Sequence, residues 1–491
     1  MARELFLAID IGTSSCKVCV FDRKGQVLFS TKREYGTSSP HPGFAEQDPE
    51  EIYREIKEGV KEAVTAFSPS SFVALAFDTM LHSFLLVNER MQPLYPLLNW
   101  MDTRSAREVE AMREEYHKLG FYSSNAVPLH TIFHPPRVIW FREHMPELWE
   151  KTHKILSIKD WILGRFTGVY ACDLSTASAT GLVDVKRNTW SEELLSWLGL
   201  PITKLPELVP PERTEPLRKG DFAEYTGLPA GVPVVFGGGD GPFANLGEGA
   251  FRKKEMVVTV GSSGAVRMCD RKPVFDPRKR SWCYYLADGI WVGGGAINNG
   301  GIVYSWIRDL LGERKDFSLK LYRERPLFLP FLTGERSPNW NPYARGILFG
   351  LSYFHTPEAL IQSALEGVAF RVRSIYEMLR EVMDDPRRVI VSGGFATTEH
   401  GKRILCDVLG VPVEVSHYPS ASAKGAFLLT LKVLGEVKHL EDLPSSFFPE
   451  NPFLEPIEEH KAFYEKLYRL YEKIYTQNAS LFKEFVELGL S

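Results

Sequence analysis

At 491 residues the chain is long enough to bury two or three separate cores. Its 44% hydrophobic and 24% charged residues are ordinary for a globular protein, and a net charge of −4 supplies no basic field to draw it onto nucleic acid or an anionic membrane. Six cysteines in so long a chain make no disulfide framework, and charges at Arg3, Glu4 and Asp10 leave an N-terminal apolar run too short for a signal-peptide core or a membrane span, so a cytoplasmic protein is expected.

Residues 5 to 35 read as three short strands: FLAIDI leads through GTSS to KVCVF, and DRKG turns the chain into QVLFSTKREY, an antiparallel meander. Cys16 and Cys19 form a C-x-x-C within this strand pattern, with no second Cys or His pair, and are expected to be core thiols. Asp48 is placed to cap a helix whose first turn holds Pro49, Glu50 and Glu51, and Ile52, Ile56, Val60 and Val64 give it one apolar stripe. FVALAF, 72–77, is the next strand; strands followed by helices predict an α/β layered fold. A Pro-rich passage from Leu200 to Pro233 is expected to separate this half from VPVVFGGGDGPFANLG. EMVVTVGSSGAVRMCDRK, 255–272, then repeats the opening of the chain: Ile11-Gly12-Thr13-Ser14 lies over Val260-Gly261-Ser262-Ser263, with an apolar strand on each side of both. Copies about 249 residues apart fit duplicated domains and not a solenoid. Where the first copy has Asp10, the second has Thr259.

A strand-Gly-hydroxyl-hydroxyl-strand turn gathers N–H and O–H groups into one concavity that suits a phosphate, and Gly12 and Gly261 let the backbone come close. Asp10 would repel bare phosphate, so a divalent cation between them is expected, Mg²⁺ reached through water. Lys17 adds a positive charge. The competing reading is a plain β-turn with an acid bonded to its own backbone. The absence of GxxxxGK[ST] excludes a Walker-type site. In Gly237-Gly238-Gly239-Asp240-Gly241, glycines around one acid at a strand end leave it open to accept a proton from a substrate hydroxyl; the alternative is a helix cap for PFANLG. In VIVSGGFATTEHGKRILCDVLG, a strand, Gly393-Gly394 and a helix bearing Ile404, Leu405, Val408 and Leu409 suit an adenine or ribose, or equally a tight helix–sheet contact.

Taken in order, DIGTSSCK, LHS (81–83), WMDTR (100–104), GGGDG, VGSSG, GGGAINNGG (293–301), LTGERSP (332–338), ARGILFGLS (344–352), ALEGVAF and SGGFATTEHGKRILCDVLG resemble the FGGY carbohydrate kinases of the actin-like ATPase superfamily over nearly the whole chain. SATGL (178–182), NNGG (298–301) and the Gly-Gly-Phe of the adenosine segment look most like gluconate kinases. The resemblance implies an α/β protein with two RNase H-like domains around a central cleft, sugar held by residues 1–246 and nucleotide by 247–491. It implies that Asp240 is the catalytic base, that Asp10, Gly12, Thr13, Ser14 and Lys17 form the first phosphate motif, and that Gly261, Ser262 and Ser263 form the second. By the same likeness Gly301 and Ser305 contact the nucleotide, Gly394 and Thr398 the adenosine, and Leu81 and His82 the sugar. The chain departs from the family in several places. Leu81 and Met80 stand where xylulose kinases have Met and Gln, Phe395 replaces a third Gly, and Arg137-Val138-Ile139-Trp140 follows two prolines in place of a K-x-x-W signature.

The expected reaction is ATP-dependent, Mg²⁺-assisted phosphorylation of a terminal hydroxyl of an open-chain sugar acid, D-gluconate. The alternatives are a xylulose, ribulose or glycerol kinase, or an actin-like assembly or sensor ATPase without a polyol site. A substrate carboxylate needs a cation or several N–H donors, with Asn298, Asn299, His82 and Arg104 as candidates. Asp102 and Arg104 read as a surface pair or as part of the sugar pocket, Glu335 and Arg336 as an ion pair at the hinge or, alternatively, as part of the chemistry, and Trp340 as loop cover. A homodimer is a further expectation, with no nucleic-acid or membrane partner.

Overall fold

The computed structural model describes residues 4–312, 318–319, 325–418, 420–448 and 450–489, so Arg3 lies outside it. The opening meander forms as the alternation predicts: β1 (Leu5–Ile11), β2 (Ser15–Asp22) and β3 (Val27–Glu34) pair antiparallel. The Asp48 side chain accepts the Glu50 N–H at 2.9 Å and starts α1 (Pro49–Thr65), which buries Ile52, Ile56, Val60 and Val64. β4 (Phe72–Thr79) then lies parallel to β1. The Pro-rich passage does not divide the halves. It contributes β5 (Thr214–Pro216), which pairs with β6 (Pro233–Gly239), and β6 runs parallel to β4, giving the sheet order β5-β6-β4-β1-β2-β3. The apolar, β-branched Val234-Val235-Phe236 belongs to this first sheet, buried on both faces.

A helix that starts at the glycine triplet's end, α2 (Asp240–Gly247), leads to a second sheet of matching plan. Here β7 (Glu255–Val260) and β8 (Gly264–Asp270) form the second hairpin, joined on one side by β9 (Trp282–Tyr285) and β10 (Trp291–Ile297). After α3 (Gly301–Leu311) and the buried α4 (Pro357–Met383), β11 (Arg388–Ser392) lies parallel to β7 as β4 does to β1. Then α5 (Glu399–Leu409) buries Ile404, Leu405, Val408 and Leu409 as its spacing predicts, and β12 (Val413–Val415) extends the sheet. Both hairpins therefore sit in the same place in their sheets, which is what a duplicated domain requires.

The sheets share a core. α6 (Ala421–Val433) comes from the far end of the chain yet packs on the first sheet, its Phe427 stacked 4.8 Å from Phe21 and edge-on to Phe6 at 5.2 Å. It meets α2 almost backbone to backbone. A Cβ on Gly425 would fall 2.2 Å from the Phe243 carbonyl oxygen, and one on Gly247 would fall 1.8 Å from that of Ala421. All six cysteines are free and buried, and the strand period sends Cys16 and Cys19 to opposite faces of β2, into separate core clusters. No helix among the described residues is long and apolar enough to cross a membrane.

Candidate active site

Three carboxylates meet at the ends of the adjacent parallel strands β1, β4 and β6. Asp10 lies directly beside Asp78 in the β1–β4 ladder, and Gly238 and Gly239, just before Asp240, lie beside Asp78 and Thr79. Strand ends at such a crossover are where open α/β sheets present a binding crevice. Asp78 is fully buried; burial first, then the charges of Asp10 and Asp240, push it well above the usual carboxylate range. Burial also raises Asp10, opposed by Lys17, its partner across the β1–β2 ladder, and by Ser422 at the start of α6, whose hydroxyl donates to Asp10 at 3.1 Å. Paired buried carboxylates are tolerated only with a proton or a cation between them, so this donor set fits a divalent ion.

In the second hairpin the equivalent pair is Thr259 beside Ser392, their hydroxyls 3.1 Å apart. The duplicated scaffold thus carries acids on one side and hydroxyls on the other.

Asp240 opens α2, where its carboxylate accepts the Gly241 N–H at 2.7 Å. Burial in the cleft, reinforced by Asp10, raises it to about 6, while the Gly241 amide, Arg267 and the Leu81 amide favour its charged form. The glycines before it answer to packing more than to access. A Cβ on Gly237, whose φ is 68°, would lie 1.7 Å from the Phe77 oxygen, and one on Gly239 would lie 2.3 Å from the Leu81 side chain.

A cavity of about 340 Å³ lies between the sheets, with Asp240 as its only carboxylate among the described residues; Thr13, Leu81, His82, Gly261, Ser262 and Ser263 are on its walls with Arg267 and Arg336. A second cavity, about 530 Å³, is lined by Gly301, Ser305, Gly394, Phe395 and Thr398, and it shares Gly261 and Ser262 with the first. The second hairpin is the wall between them. Its loop carbonyls are engaged by the start of α3, with Gly301 N–H donating to Gly261 O at 2.7 Å and Gly300 N–H to Ser262 O at 3.1 Å, which leaves the serine hydroxyls on the cavity walls. The first hairpin is anchored by Trp100, whose Nε1–H donates to Thr13 Oγ1 at 2.9 Å, and by Gln47 Nε2 to Thr13 O at 2.7 Å. Gly12 and Lys17 flank that turn, and Ser14 is exposed and lines neither cavity. Thr398 caps α5, accepting the Gly401 N–H at 3.0 Å.

Glycines 261 and 394 differ from Gly237 and Gly239. Neither has a φ in the left-handed region; a Cβ on Gly261 would meet nothing closer than the Ser263 oxygen at 3.9 Å, and one on Gly394 would meet nothing within 4 Å. The protein's own packing does not require glycine at either place, and a ligand brought close to the backbone there would.

Several expected contacts are displaced. Asp102 and Arg104 form neither a surface pair nor a pocket wall. Asp102 is buried and the Arg104 side chain is 1% exposed, donating to Asp102 and to Glu46 at 2.6 Å with its guanidinium 3.8 Å over the Phe44 ring. Asn299 is buried below the cavities, where its Nδ2 donates to Gly334 O at 2.8 Å and its Oδ1 accepts from Thr333, and Asn298 donates to Thr333 O at 3.0 Å; both brace a loop. Glu335 pairs with Arg371, not with its neighbour Arg336. His82 does reach the first cavity, but burial lowers it well below the usual imidazole range and its Nδ1 bonds Ala179 O at 2.8 Å, so it offers an acceptor and no cation. Trp340, expected to cover a loop, lines the same cavity. Arg137, fully buried in the helix His134–His144, holds the backbone carbonyls of Thr131, His82 and Asn99 behind it. Asp78 and Arg267 were not legible as site residues.

The chain matches the FGGY family of carbohydrate kinases, the N-terminal domain over residues 5–247 and the C-terminal domain over 256–432. It is 33% identical to the gluconokinase of Bacillus subtilis (strain 168) over 498 residues, covering 96% of this chain and 97% of that one. It is 25% identical to a xylulose kinase of Staphylococcus epidermidis (strain ATCC 12228 / FDA PCI 1200) across 98% of each. The crystal structure of gluconate kinase from Lactobacillus acidophilus superposes with a TM-score of 0.93 over 98% of this chain and 100% of that one, at 24% identity, a likeness of fold. Two hairpins in equivalent sheets, a cleft between them and matches to both family domains lead to one conclusion: the chain belongs to the FGGY family of carbohydrate kinases.

Proposed function

We propose that this carbohydrate kinase is an ATP-dependent gluconokinase that phosphorylates the terminal hydroxyl of D-gluconate. The observation that carries the reading is the acceptor cavity, whose walls hold two guanidiniums against one carboxylate, a balance suited to an anionic sugar. The 33% identity to a gluconokinase supports it. ATP as phosphoryl donor fits the second cavity, with its bare backbone at Gly394 and its hydroxyl-bearing wall at Ser262.

Asp240 accepts the proton of the attacking hydroxyl, while Thr13, Ser262 and Ser263 donate to phosphate oxygens from the two hairpins. Mg²⁺, held by Asp10 and Asp78 through water, would when bound neutralise charge on those oxygens. Arg267, fixed by Asn245 and Thr259, keeps Asp240 ionised and adds positive charge near the transferred group. Closure of the two hairpins around the sugar excludes water as a competing acceptor.

ADP release measured across gluconate, xylulose, ribulose and glycerol tests the substrate. Gluconate is expected to give the highest kcat/KM; xylulose or glycerol in first place overturns the assignment. The base assignment sets a pH profile. Protonated Asp240 cannot accept a proton, so kcat/KM should fall about tenfold per pH unit below about pH 6. An acidic limb near pH 4 would mean that the cleft does not raise this carboxyl. A third expectation concerns the unexplained glycine. Gly261→Ala should raise the KM for ATP about tenfold or more by keeping the phosphates off the loop, yet leave Tm unchanged or slightly higher, because the folded backbone accepts a Cβ there. A fall in Tm with unchanged KM would mark a structural glycine.

A further inference from the structure

The two guanidiniums of the acceptor cavity are in different states. Arg267 is held by two bonds: its Nε donates to Asn245 Oδ1 at 2.9 Å and its Nη2 donates to Thr259 Oγ1 at 2.7 Å, and Asp240 and Glu248 are the negative charges that act most on it. Arg336 has one hydrogen bond, from Nη2 to the Ile297 carbonyl at 3.1 Å, and its buried Nε meets no acceptor. Its guanidinium lies 5.0 Å over the ring of Trp100, the residue that anchors the first hairpin, so it reaches across the cleft from the second sheet's side. Burial lowers it to about 10, and among the described residues no carboxylate forms an ion pair with it, since Glu335 has turned to Arg371. A half-buried cation left without an anion is costly, and the fold tolerates this one at the wall of a substrate cavity.

We propose that Arg336 is the specificity residue that binds the substrate's carboxylate, so that a sugar acid lies lengthwise in the cavity with its acid end at Arg336 and its terminal hydroxyl at Asp240. This rests on the gluconokinase reading and adds the group that enforces it. Asp240, at the start of α2, and Arg336, bonded to the Ile297 carbonyl at the end of β10, stand on the wall of the same cavity with no hydrogen bond or ion pair between them among the described residues. Nε is enclosed, but the two Nη groups have a single bond between them, to Ile297 O, and can take a carboxylate through two N–H groups. A neutral polyol fills the space but leaves the cation unpaired, so selection works by penalty as well as by attraction.

The test compares D-gluconate with D-gluconamide, which keeps every hydroxyl and loses the charge, using the full-length wild type, Arg336→Met and Arg336→Lys with saturating ATP. The wild type should favour gluconate, and Arg336→Met should cut the ratio of kcat/KM for gluconate over gluconamide by about 30-fold or more. Arg336→Lys, which keeps the charge but not the fork, should retain part of the preference. Three results would overturn the proposal: a ratio unchanged in Arg336→Met, a parallel loss with both acceptors, or an effect confined to the KM for ATP. If Arg336→Met does not fold, Arg336→Lys decides, because a lysine that preserves the full ratio contradicts two-pronged binding by the guanidinium. If the wild type favours gluconate and the variants keep that preference, this proposal alone fails; if the wild type favours xylulose or glycerol, the gluconokinase reading fails and takes this one with it.

Discussion

Asp240→Asn is expected to lower kcat by about 10²- to 10⁴-fold, the usual worth of a positioned general base, with the KM for ATP changed by less than about twofold. The amide keeps the shape of the carboxyl and can still accept the Gly241 N–H, so α2 should start as before. What it loses is the capacity to take the hydroxyl proton. Asparagine also removes one of three carboxylates crowded at the sheet edge, whose mutual repulsion raises Asp78, so the variant's Tm should not fall. Inactivity with unchanged Tm and unchanged nucleotide affinity is the signature of a lost base. Near-full turnover in this variant would move the chemistry elsewhere in the cleft.

The parts of this site that could be read from sequence are those whose chemistry and geometry are both local. A strand, a glycine, two hydroxyls and a strand fix their own register, so both hairpins and their equivalence follow from a dozen residues each. Asp78 escaped because its neighbours in FVALAFDT are apolar and its meaning comes from lying beside Asp10 in a parallel ladder, a pairing no local pattern reveals. Arg336 was misread through adjacency. Successive side chains on an extended backbone diverge, so Glu335 turns inward to Arg371 while Arg336 reaches the cleft. Arg104 shows the same limit from the other direction, since Glu46 and Phe44, which hold it away from solvent and from the cavity, are remote in the chain. The glycine triplet was recognised as significant for a reason only partly right: its residues are small because β4 and Leu81 press against them.

The asymmetry between the hairpins supplies the second large expectation. Asp10→Asn should reduce turnover by about 10²- to 10³-fold and weaken the dependence of rate on Mg²⁺, because the variant loses one of the two carboxylates proposed to hold the ion while Ser422 keeps a partner for its hydroxyl. A readout independent of turnover is available. Mg²⁺ with ADP should stabilise the wild type by about 2.7 kcal/mol at a hundredfold excess over Kd, and Asp10→Asn should lose most of that shift. Thr259→Ala makes the matching change in the other sheet, where the hydroxyl bonds Ser392 and Arg267, and it should leave the Mg²⁺ dependence as in the wild type. If both variants lost the Mg²⁺-dependent stabilisation equally, the ion would not belong to the acidic side. If Asp10→Asn alone kept it, the carboxylate pair would have to be held together by a shared proton.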